Sequence, residues 1–186
     1  MKHTAKNIIH SFIIVPLVAT SLSMNTFTVS VNEAVSKIAA SAETKSPEEL
    51  ALQADREAKA AKIDAYFAQY DLPLAGHGMQ FVLTAEKYDL DVNLLPALAM
   101  RESTGGKFLI KGTFNPFGWN GGKTKFKDFD EAIEVVGSHL GGTNPKTQRY
   151  YADKDITGIL KAYNSVIPAY KTEILGIMSK IDKMEA

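Results

Sequence analysis

The chain has 186 residues, 45% of them hydrophobic, and its 21 basic and 21 acidic side chains give a formal net charge of +0. That length and apolar content suffice for one domain with a sizeable core. The balanced charge argues against a nucleic acid or other polyanion held on a broad basic face.

At the start, Lys2 and Lys6 precede "IIHSFIIVPLVATSLSM" (8–24), a run whose one titratable residue is His10. Basic residues followed by such a run form the pattern of a secretory signal peptide over 1–24. An uncleaved membrane anchor is the alternative, because the run is close to the roughly 17-residue minimum for spanning a bilayer. Pro16 and the small residues weigh against it. The pairs Ala19/Ser21, Ser21/Ser23 and Ala40/Ala42 each allow a cut. An exported chain without cysteine depends on its core rather than on disulfides, which points to a secreted or cell-surface bacterial protein.

Residues 25–45 are small and polar and read as a linker. "SPEEL" then offers Ser46 as N-cap, Pro47 at the first helical position and Glu49 three residues after the cap, a capping box opening a helix over 46–71. Leu50, Ala54, Ala58, Ala61 and Ala65 recur along it, as a packing or spacer helix requires. "DLPLAGHG" (71–78) breaks that helix. "MQFVLTAEKY" (79–88) begins the next, with Phe81, Val82 and Ala85 as its apolar side. From Asn93 the chain reads Leu94, Leu95, Pro96, Ala97, Leu98, Ala99, Met100, apolar on every face, so a buried helix is expected. Pro96 fits only in its first turn.

The apolar run finishes on Arg101 and Glu102, followed at once by Ser103, Thr104 and Gly105–Gly106, so a helix ending at Glu102 is expected. A carboxylate there lies at the negative end of the helix dipole, with Leu98 and Ala99 one turn earlier. Both effects disfavour the anion and favour the protonated form that a general acid must hold before donating to a leaving oxygen. Ser103 and Thr104 are placed to hydrogen-bond the carboxyl, and either glycine can end the helix left-handed. The competing reading is an ordinary last-turn residue pointing to solvent.

Beyond it, "FLIKGTFNPFGWNGGKTKF" (108–126) is rich in aromatics, glycine and asparagine, with Asn120–Gly121 a hairpin-turn signal between "PFGW" and "KTKF"; a small β-hairpin lobe is expected. Helix resumes at 128–140, with Asp128 as cap and Glu131 at the third helical position. "DITGILKAY" (155–163) and 167–184 complete a mainly α domain over 72–186.

Three of these segments, "ALAMRESTGG" (97–106), "NPFGW" (115–119) and "KAYN" (161–164), resemble the helix-borne Glu-Ser, the Asn-x-Phe-Gly loop and the late Tyr-Asn of peptidoglycan-cleaving enzymes with the lysozyme-like fold. Over roughly residues 72–183 the chain is most similar to the bacterial glucosaminidase family, named after mannosyl-glycoprotein endo-β-N-acetylglucosaminidase, with the lytic transglycosylases as near relatives. The resemblance implies a lysozyme-like domain, acting as a monomer without cofactor or metal, that cuts a β-1,4 bond of peptidoglycan or a related glycan. Glu102 would be the general acid. Asn115, Phe117 and Gly118 would floor the cleft, Tyr163 would stand near the scissile bond beside Asn164, and Ser103 would serve the substrate site. Glucosaminidases often add an acidic residue or a tyrosine from the lobe. This lobe has no acid between Gly105 and Lys127, so Asp128, Asp130 and Glu131 are the nearest candidates. Transglycosylases manage with one Glu and the substrate's own acetamido group.

Trp119, the one tryptophan, suits stacking on a sugar and plugging the junction of lobe and helices equally well. Tyr150 and Tyr151 suit core packing better. His3, His10, His77 and His139 show no ligand spacing, so no metal site is expected. The Gly-Gly pairs at 105–106, 121–122 and 141–142 lack the flanks of a phosphate loop and read as turns. Two function classes follow: an enzyme that cuts wall glycan, for which the Glu102–Ser103 pair argues, and a glycan-binding module, for which the missing lobe acid argues.

Overall fold

The structure, a computed structural model, describes residues 45–185. The expected export segment and all but the last residue of the expected linker lie outside the described residues. Among these residues the protein is mainly α, with seven helices and no strand. None of the helices is long and apolar enough to cross a membrane.

Helix α1 (Pro47–Ala68) starts as its capping box dictates: the Ser46 hydroxyl accepts from the Glu49 N–H at 3.1 Å and the Glu49 carboxylate accepts from the Ser46 N–H at 2.6 Å. Its first half is largely exposed, but Ile63 and Phe67 are fully buried in the same core as the later helices. Asp64 Oδ1 accepts the N–H groups of Gly76 and Gly78, both at 2.8 Å. The second half of α1 therefore belongs to the domain, and no boundary falls at 71/72.

Helix α2 (Gly78–Lys87) packs between α1 and α4 (Phe129–Leu140), and α3 (Leu94–Ser103) packs on α7 (Tyr170–Asp182). Leu94, Leu95, Ala97, Leu98 and Ala99 are at most 1% exposed, so α3 is the buried rod its composition demands. Burial of each leucine contributes roughly 1.5–3 kcal/mol, which fixes the rod and hence its C-terminal end. The short α5 (Gln148–Tyr151) and α6 (Ile156–Tyr163) follow, α6 capped by Asp155 accepting from the Gly158 N–H at 2.8 Å.

At its C-terminus α3 closes on Thr104, which is left-handed (φ 52°), with the Thr104 N–H on Met100 O and the Gly105 N–H on Ala99 O. A Cβ on Gly105 would come within 2.9 Å of Leu72 Cδ1 and 3.0 Å of Phe67 Cδ1. Glycine is needed there because the chain turns directly against α1.

The lobe corrects one expectation. The turn at Asn120–Gly121 exists, with both residues left-handed and Lys123 N–H bonded to Asn120 O, but no paired strands flank it. The buried Asn115 amide takes over the bonding that a ladder would supply: Nδ2 donates to Trp119 O at 2.9 Å and Thr124 O at 3.2 Å, and Oδ1 accepts from Trp119 N–H at 3.0 Å. A side chain that binds both arms of the loop holds the loop curled, so the arms never run side by side as extended backbone.

Candidate active site

Glu102 occupies the last turn of α3, next to the buried Ser103, and lines a cleft of about 440 Å³. The lobe supplies Phe117, Gly118, Trp119 and Asn120 to its walls; Tyr151, Tyr163 and Asn164 come from α5 and the end of α6. The two ends of the sequence resemblance, "RES" and "KAYN", thus meet across one space with the "NPFGW" loop between them.

The carboxyl group is held from one side. Tyr170, at the first position of α7 and 1% exposed, donates its hydroxyl to Glu102 Oε1 at 2.7 Å. On the other side Gly118, with φ +64°, lies so close that a Cβ there would be 3.3 Å from Oε2. Arg101, one residue earlier, forms an ion pair with Glu173 (Nε to Oε2, 2.5 Å) and lies 5.8 Å from the Tyr170 ring centroid, tying the end of α3 to the start of α7.

Tyr163 is half-buried and donates its hydroxyl to Phe117 O at 2.5 Å. Its ring stacks on that of Tyr170, with centroids 6.1 Å apart and planes 14° apart. Burial, helped by the Glu102 charge, pushes the Tyr163 phenol well above its ordinary range. Burial also raises Tyr170, and its hydrogen bond to Glu102 adds to the effect. Both therefore stay protonated donors at neutral pH. Trp119 continues the aromatic row, 6.1 Å from Tyr163 and stacked on His139 at 4.6 Å. His139 is 7% exposed, its Nδ1 lies 2.7 Å from Thr147 Oγ1, and burial lowers its pKa, with Lys146 acting in the same direction. A neutral imidazole thus covers one face of Trp119, which both plugs the junction and borders the cleft.

The remaining expected site residues separate into two groups. Ser103 is buried and has its hydroxyl spent: it donates toward Pro116 O at 2.7 Å and Ala99 O at 3.1 Å and accepts from the Gly106 N–H at 2.9 Å. Asn115 is likewise buried with its amide used within the loop. Neither has a polar atom left for a glycan; together they pin the loop to the end of α3. Phe117 and Gly118 do floor the cleft, and Asn164 lines it while its Oδ1 accepts from the N–H groups of Val166 and Ile167.

The candidate second acids lie elsewhere. Asp128 caps α4 by accepting from the Glu131 N–H, Glu131 accepts from the Lys127 N–H, and Asp130 pairs with His77 Nδ1 at 2.6 Å. None of them lines the cleft, where Glu102 is the one acidic residue among those described. Among the described residues no group of three or more His, Cys, Asp or Glu gathers as a metal would need. What sequence reasoning missed is Tyr170, 68 residues from the carboxylate it holds. Its one signal was an aromatic seven residues after Tyr163.

No family model matches the sequence, and neither a curated protein nor a solved structure is found similar to it.

Proposed function

We propose that this cleft cuts β-1,4 glycosidic bonds in the glycan strands of peptidoglycan, in the manner of an endo-β-N-acetylglucosaminidase with a lysozyme-like domain, and that the protein is exported to do so. The observation that carries the reading is one carboxyl group, at the end of a buried helix, facing a cleft with one oxygen tied to Tyr170.

In this mechanism Glu102 transfers its proton to the glycosidic oxygen and the C1–O bond breaks, its electron pair staying on the leaving oxygen. With one carboxyl in the cleft, the substrate's own acetamido oxygen closes on C1 and takes up the developing positive charge. A water molecule then attacks C1 while the bond between C1 and the acetamido oxygen breaks and its electron pair returns to the amide; the Glu102 carboxylate takes the water's proton, which restores the acid and leaves a reducing end. Tyr170 holds Oε1 so that Oε2 faces the bond, and Tyr163 keeps the Phe117–Gly118 floor against it. Trp119 offers apolar ring surface to the sugars.

Among the described residues Glu102 is the one carboxylate lining the cleft, which supports one further reading, a lytic transglycosylase, in which the substrate's C6 hydroxyl replaces water. Digestion of purified bacterial cell wall, followed by mass analysis of the soluble fragments, tests both. Reducing N-acetylglucosamine ends are expected for the glucosaminidase and anhydro ends for the transglycosylase. Failure to release any fragment would leave only a glycan-binding module.

A further inference from the structure

The zero net charge conceals a segregation. Residues 105–127 carry Lys107, Lys111, Lys123, Lys125 and Lys127 and no acidic residue, so the rest of the chain holds five more acids than bases. All five lysines are exposed, and of these five Lys127 alone forms an ion pair among the described residues, with Asp128. The same lobe carries large apolar side chains in solvent: Phe108 is 71% exposed, Ile110 53% and Phe114 41%.

These residues form one surface. Ile110 lies over Gly122, where a Cβ would be 3.2 Å from its Cδ1, and the Phe126 N–H bonds to Thr113 O at 2.8 Å. The 107–114 and 122–127 segments are therefore neighbours, and between them they carry the five lysines together with Phe108 and Ile110. Lys107 Nζ lies 5.8 Å from the Phe108 ring centroid.

We infer that this lobe docks on an anionic lipid bilayer, with Phe108 and Ile110 entering the headgroup boundary and the lysines meeting lipid phosphates. Charge complementarity selects an anionic partner. The apolar side chains select a bilayer over a soluble phosphate polymer, because a fully hydrated polymer gives Phe108 and Ile110 nothing to bury against, whereas an interface takes up aromatic and aliphatic side chains beside basic ones. The inference is independent of the glycan reading: it involves neither Glu102 nor the cleft.

The test uses the full chain, which has no cysteine, so Lys111→Cys gives a unique site for an environment-sensitive dye and Glu57→Cys, exposed on α1, gives a control. Each is titrated with phosphatidylglycerol vesicles, phosphatidylcholine vesicles and soluble poly(glycerol phosphate). The expected result is a blue shift at position 111 with phosphatidylglycerol alone, reversed by high salt, and none at position 57. Phe108→Ser with Ile110→Ser should weaken that response about tenfold or more. Replacing Lys107, Lys123 and Lys125 by Gln should weaken it about a hundredfold. Both sets change exposed side chains, and far-UV circular dichroism checks their fold. No shift at position 111, an equal shift at both positions, or a shift with the soluble polymer matching that with vesicles would overturn the inference.

Discussion

The Tyr170 hydroxyl lies 2.7 Å from Glu102 Oε1 and joins the first turn of α7 to the last turn of α3. Because the phenol is buried and its pKa raised, it remains a donor across the working pH range. Tyr170→Phe keeps the ring and deletes the bond. Stability should fall by about 1 kcal/mol, while turnover on cell wall falls about 10- to 100-fold through loss of carboxyl orientation. Denaturant titration beside a turbidity assay separates the two effects. Unchanged turnover would remove Tyr170 from the site.

Gly118 combines a left-handed backbone with closeness to Oε2. Gly118→Ala should therefore cost about 1–2 kcal/mol in backbone strain and also displace the carboxyl. Gly112, with φ +78° and nothing within 4 Å of where a Cβ would stand, is the control. Gly112→Ala should show the same strain and keep its turnover. Equal losses of turnover in both variants would mean that strain alone accounts for the effect.

Ser103 holds the loop rather than a sugar. Ser103→Ala leaves Pro116 O and the Gly106 N–H without their buried partner, so a loss of about 1–3 kcal/mol is expected. Well below the new melting temperature, binding of wall fragments should be nearly unchanged. Selective loss of fragment binding at full stability would instead return Ser103 to the substrate site.

His139 and Trp119 predict a pH dependence. Burial depresses the His139 pKa below its unfolded value of about 6.5. The unfolded chain then binds more protons than the folded one in acid, so this contribution to stability is present above about pH 6.5 and is lost as pH falls through the folded pKa. Trp119 fluorescence, from the one tryptophan in the chain, should be flat from pH 8 to about 6.5 and change below it. His139→Gln should abolish that change. A transition centred above neutrality would contradict the buried neutral imidazole.

The local signals in the sequence carried the helices well. The capping box at Ser46, the cap at Asp128 and the all-apolar run after Asn93 each specify structure through neighbours a few residues away. The lobe differs from its expected hairpin because an Asn-Gly turn usually closes two strands, whereas here the Asn115 side chain takes the cross-loop bonds, a role that no local pattern signals. The place of Glu102 near a helix end was legible from the apolar run before it. Tyr170 was not, since its role depends on α7 packing against α3, a relation between segments about 70 residues apart. Ser103 was placed beside the acid correctly, but sequence position could not show which way its hydroxyl points. Zero net charge likewise hid the lysine-rich lobe, because a sum carries no information about where charges lie.

If Glu102 donates the proton that breaks the glycan strand, as proposed, removing that proton must stop cleavage without disturbing the fold. Glu102→Gln keeps the side chain's shape and removes that proton, so unaltered circular dichroism and melting temperature are expected, with wall cleavage lowered about 10²–10⁴-fold. Glu102→Gln protein that folds normally and still cleaves cell wall at the wild-type rate would contradict that role.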